Sequence, residues 1–100
     1  MIWSNEDQYY NIIESSGRHF IVLGEIGEQW TDEVLNVFKA AGVKVHLFPW
    51  ASVTKLRLQL EIVHYPHIQL WSSGKLLREI GGYHNETLQN LIVFSNRKDT

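Results

Sequence analysis

Phe20-Ile21-Val22-Leu23, four apolar residues in succession, restricts the fold of this chain more than any other feature. Successive side chains of a strand point to opposite faces, so an unbroken apolar run predicts a strand buried on both sides. Such a strand belongs at the centre of a sheet with helices over each face. No apolar run approaches the ~20 residues of a membrane-spanning helix.

The flanking segments supply those helices. Ser4-Asn5-Glu6-Asp7 reads as a helix start, with Ser4 as N-cap and acids where they face the positive end of the helix dipole. Tyr9, Ile12 and Ile13 continue it at helical spacing, and Gly17 marks a stop. After the loop Gly24 to Gln29, a second helix opens at Thr31 with Asp32 and Glu33. It carries Trp30, Val34, Val37, Phe38 and Ala41 and ends at Gly42. Val43, Val45 and Leu47 alternate with Lys44, His46 and Phe48, as a strand does.

Residues 55 to 63 carry two periods at once. Leu56, Leu58, Leu60 and Ile62 alternate as in a strand, whereas Val53, Leu56 and Leu60 suit one face of a helix capped by Ser52. Downstream, Ile68 and Leu70 and the run Leu76 to Ile80 flank Ser72-Ser73-Gly74-Lys75, the pattern of a β-hairpin ended by Gly81-Gly82. Asn85 then caps a last helix with Leu88, Leu91 and Ile92 on its buried side.

One hundred residues, 44% hydrophobic and 12% aromatic, allow one core and leave no room for a second. The expectation is one domain over residues 1–100, with 95–100 as a polar tail. Nine basic and eleven acidic residues leave a net charge of −2, with no basic stripe, so nucleic acid is not an expected partner. Neither is a membrane, and because Met1 to Asp7 lacks the pattern of a secretory signal, a cytoplasmic location is expected. Zero cysteines exclude disulfides, thiolate catalysis and thiolate metal ligation together.

Tyr65-Pro66-His67-Ile68-Gln69-Leu70-Trp71-Ser72-Ser73-Gly74-Lys75, followed by Gly81-Gly82-Tyr83 and Asn85 to Ile92, closely resembles the C-terminal half of thioredoxin. That family has a strand opened by a cis-proline, a polar-Gly-Lys hairpin turn, a second strand, a glycine turn and a final amphipathic helix. Phe20 to Leu23 resembles its central strand, and the resemblance covers residues 4 to 95. It implies an α/β, thioredoxin-like fold with a central mixed sheet of about four strands flanked by about four helices. It also implies a cis Tyr65–Pro66 bond and a helix over about 52–61 in place of the strand.

The departure from the family is chemical. Where thioredoxins carry Cys-x-x-Cys, this chain reads Gly24-Glu25-Ile26-Gly27-Glu28-Gln29-Trp30. Disulfide exchange needs a thiolate to attack sulfur, so no residue here inherits the reaction. No catalytic residue, cofactor or metal is assigned. His64 and His67 would need Glu25, Glu28 or His84 to complete a tetrahedral metal site. Glu25 and Glu28, in a Gly-flanked loop after a strand, are the candidates for an acid–base pair. Gly24-x-x-Gly27 lacks the lysine and hydroxyl of a phosphate loop, and the serines have no nucleophile-elbow context.

The aromatic residues point to a partner. Trp30, Trp50, Tyr65 and Tyr83 lie in or beside the loops that a thioredoxin-like fold gathers at one end. The expected partner-binding surface comprises Ile26, Gly27, Trp30, Tyr65, Pro66, Gly82 and Tyr83. The chain is expected to be a redox-inactive protein-binding or structural subunit, in a homo-oligomer or a larger assembly such as a virion or another multi-protein complex. The alternatives are a chaperone-like binder of extended polypeptide through the cis-proline loop, and an enzyme or metal protein using the loop carboxylates and histidines.

Overall fold

A computed structural model describes residues 2–3 and 6–96. Five strands, β1 (Ile2–Trp3), β2 (Arg18–Gly24), β3 (Val45–Pro49), β4 (His67–Ser72) and β5 (Lys75–Gly81), form one sheet in the order β1-β3-β2-β4-β5. β1, β3 and β2 run parallel, whereas β4 is antiparallel to β2 and β5 to β4. The four long strands answer the expectation of a mixed sheet. The two-residue edge strand β1 was not foreseen, because a segment so short carries no readable period.

Four helices cover the sheet: α1 (Gln8–Glu14), α2 (Gln29–Ala40), α3 (Thr54–Gln59) and α4 (Asn85–Ser95). Alternation along β2 divides the core. Phe20 and Val22 face Val34 and Phe38 of α2 and Leu88, Leu91 and Ile92 of α4. Ile21 and Leu23 face Tyr9 and Ile13 of α1 and Leu56 of α3. The run Phe20 to Leu23 is thus buried on both faces, as its composition requires.

Residues 52–61 resolve as helical, in a shorter form. A 3₁₀ turn over Trp50–Ser52 leads into α3, and Val53, not Ser52, occupies the N-cap position without a side-chain bond. A carboxylate from elsewhere takes that role, since Glu6 Oε1 accepts from the Leu56 amide. Leu56 is buried while Leu58 is 74% exposed, so two residues of the period-two pattern stand on opposite sides.

Other boundaries also shift. The proposed cap Ser4 lies outside the described residues, and α1 ends at Glu14, before Gly17. α2 opens at Gln29 rather than Thr31, and α4 has His84 at its N-cap with Asn85 already helical. Ser95 is the last residue of α4, and residues 97–100 of the expected tail lie outside the described residues. The hairpin turn is Ser73–Gly74, with φ of 47° and 85°. Two successive positive φ values give the turn the twist of its strands. The turn docks on α1, where Gly74 N donates to the Ile13 carbonyl at 2.7 Å.

Candidate protein-binding surface

The loop Glu25 to Glu28 stands where a thioredoxin carries its cysteines, and its carboxylates are engaged by backbone. Glu28 caps α2, accepting from Trp30 N at 3.0 Å, Thr31 N at 2.8 Å and Thr31 Oγ1 at 3.0 Å. Burial pushes its pKa up, but these hydrogen bonds outweigh burial and hold it below the ordinary 4.5. Glu25 Oε1 accepts from Ala51 N at 2.7 Å, which ties the loop to the 3₁₀ turn. Both carboxylates are thus held by backbone amides.

The aromatic residues form two ring pairs. Trp30, at the start of α2, stacks on Tyr83 with centroids 5.8 Å apart and planes 20° from parallel. Trp50 packs against Tyr65 at 4.8 Å, and the Arg57 guanidinium lies 4.4 Å from the centre of the Trp50 ring. The Tyr65–Pro66 peptide is cis, as the resemblance implies. Gly82 N donates to the Pro66 carbonyl at 2.8 Å, which joins the proline loop to the glycine turn. A chain of contacts therefore runs from Trp30 through Tyr83, Gly82 and Pro66 to Tyr65 and Trp50.

Exposure separates these residues. Ile26 is 48% exposed, Trp30 49% and Tyr65 42%, and the three stand in or beside loops joined by the contacts above. Gly27 is exposed with φ of 89°, and its amide donates to Asp32 Oδ1. Gly82 and Tyr83 are half-buried, and Tyr83 packs partly against the core. Pro66 is buried, so it contributes its carbonyl to the architecture and not a face to solvent.

The histidines do not converge on one metal site among the described residues. His67 Nε2 lies 2.7 Å from Glu79 Oε2, and no group of three or more metal-ligating side chains occurs among the described residues. Glu79 belongs to a polar network that sequence reasoning missed. Gln69, 2% exposed on β4, accepts at Oε1 from Tyr9 Oη at 2.7 Å and from Trp71 Nε1 at 2.9 Å. Its amide donates to Glu79 Oε2 at 3.0 Å. The available signal was Gln69 lying between Ile68 and Leu70 in a strand adjacent to the central one. Burial pushes the Tyr9 hydroxyl up to about 12. His46 has a buried Nδ1 with no hydrogen-bond partner, and burial followed by the nearby His19 and Lys44 holds its pKa below the ordinary 6.5.

This sheet order, with a helix after the central strand and a cis-proline opening β4, defines a thioredoxin-like fold. Solved thioredoxins superpose on nearly the whole chain. Thioredoxin f of spinach chloroplast (short form) gives a TM-score of 0.79 at 13% identity, covering 96% of this chain and 93% of its own. The thioredoxin of Malassezia sympodialis gives 0.78 at 13% identity, with 95% and 90% covered. Oxidized mitochondrial thioredoxin 3 of Saccharomyces cerevisiae gives 0.75 at 15% identity, with 94% of each chain covered. No protein-family model matches the sequence, and neither does any curated protein sequence. The likeness is one of fold. Without cysteine, thiol–disulfide chemistry has no nucleophile here.

Proposed function

We propose that this chain is a non-enzymatic, thioredoxin-like subunit that binds another protein, within a homo-oligomer or a larger assembly, through Ile26, Gly27, Trp30, Tyr65, Gly82 and Tyr83. The observation that carries this reading is the exposure of Ile26, Trp30 and Tyr65 around one connected set of loops. Large aromatic side chains supply much of the energy of protein interfaces, and Trp30 and Tyr65 stand half in water at these loops. Engagement of Glu25 and Glu28 by backbone amides weighs against the catalytic alternative. A second reading, a chaperone-like binder of extended polypeptide, rests on the exposure of Tyr65 immediately before Pro66.

Isolation of the protein with its neighbours from the native source, beside Trp30→Ala and Tyr65→Ala variants, tests the proposal. Each substitution should weaken association by ~2 kcal/mol. The unfolding free energy should change by only about 1 kcal/mol, because both rings are already half in water. One neighbour at fixed stoichiometry supports the subunit, and transient capture of many unfolded chains supports the second reading. A folded double variant with undiminished association overturns both.

A further inference from the structure

The edge formed by β5 lies outside the surface discussed above and carries its own features. β5 has a neighbour on one side only, so the outward N–H and C=O groups of its alternate residues have no strand partner. Beside it, between β5 and α4, runs a groove of about 240 Å³ floored by Ile80, Leu91 and Phe94 and rimmed by Arg78, Glu79, Thr87 and Asn90; the Glu79 carboxylate itself is bonded to Gln69 and His67. This is smaller than the ~300–1,000 Å³ of a typical small-molecule site, which favours a single side chain over a free ligand. The Arg78 guanidinium carbon lies over the Phe94 ring, 4.2 Å from its centre. It donates to the Leu77 carbonyl, and no carboxylate among the described residues pairs with it.

An open ladder, an apolar groove alongside it and a positioned cation are complementary to one kind of occupant. We propose that an extended segment of another protein adds to β5 as a further antiparallel strand. Its apolar side chain would lie in the groove beside Ile80, and its acidic side chain would pair with Arg78. The spacing follows from strand geometry. Arg78 and Ile80 are two residues apart and face α4 together, so residues two apart on the added strand face them. Antiparallel direction places the apolar residue first, giving the pattern apolar-x-acidic. Main-chain bonds supply affinity, and the groove and Arg78 supply selectivity.

The test uses the whole chain and a short fluorescent peptide with a Val-Thr-Glu core, beside the same peptide with Lys in place of Glu. Anisotropy should show the Glu peptide binding about tenfold tighter, and Arg78→Glu should reverse the preference. Amide NMR shifts should be confined to β5, Thr87, Asn90 and Leu91. Arg78 is exposed, so its variant folds, and Thr87→Trp provides an independent block of the groove. Absent binding, equal affinities or shifts centred on Trp30 and Tyr65 overturn the proposal. A concentration-dependent dimer abolished by Thr87→Trp would assign the groove to a second copy and overturn it equally.

Discussion

At Gly24 a hydrogen in place of a side chain sets how closely α2 approaches the sheet. A Cβ there would stand 2.6 Å from Thr31 Oγ1 and 2.8 Å from its Cγ2. Thr31 is fully buried and bonded to Glu28, so it has little room to yield. Gly24→Ala should therefore cost about 1–3 kcal/mol in urea unfolding, and adding Thr31→Ala should recover part of that loss relative to Thr31→Ala alone. Gln69 makes the complementary case for polar groups. Gln69→Leu leaves the Tyr9 hydroxyl and the Trp71 indole N–H without their acceptor, which should cost about 1–3 kcal/mol. An unchanged unfolding midpoint would show that water replaces the lost amide.

Among the elements, α3 shows how tertiary context overrides a local pattern. Period two placed Leu56, Leu58, Leu60 and Ile62 on one face, but the segment packs through Val53, Leu56 and Ile62 and turns Leu58 to solvent. Leu56→Ala should thus cost about 2–5 kcal/mol, and Leu58→Lys should fall within about 0.5 kcal/mol of the parent. Equal losses would restore the strand reading. The long-range cap from Glu6 to the Leu56 amide explains why the helix needs no local capping residue. Helix starts elsewhere shifted for a related reason. Glu28 reaches three donors of α2 at once, whereas the pattern of Asp32 and Glu33 marked only the first turn.

The whole molecule should be most stable between about pH 6.5 and 10. His46 has a lowered pKa, so below its ordinary 6.5 the unfolded chain takes up a proton that the folded chain resists, and stability falls as pH falls. Glu28 and Glu79 are also lowered, so their contribution is present above 4.5 and is lost at more acid pH. At the alkaline end Tyr9 is raised from 10.0 to about 12, so the unfolded chain ionises first and stability falls as pH rises across that interval. Chemical unfolding across pH should give a plateau with these two declines. His46→Phe should flatten the portion just below pH 6.5, and an unaltered slope would remove His46 as its cause.

Much of the fold was legible because its signals are local. The run Phe20 to Leu23 demanded burial on both faces, Ser73–Gly74 supplied a turn with two positive φ values, and the spacing of Val34 and Phe38 set the buried side of α2. The lack of cysteine likewise determined, without any structure, that thiol chemistry is absent. Of the residues expected to meet a partner, Trp30 and Tyr65 stand exposed while Pro66 is buried, because the burial of a loop residue depends on which distant segments pack over it. What only the tertiary structure decided were relations between distant residues: Glu6 capping α3, Glu25 binding Ala51, Tyr9 and Trp71 sharing Gln69, and β1 closing the sheet edge. Period and propensity report what a segment prefers alone. Which buried donor meets which acceptor is set by where the chain brings them together, because an unpaired buried group costs more than a local preference supplies.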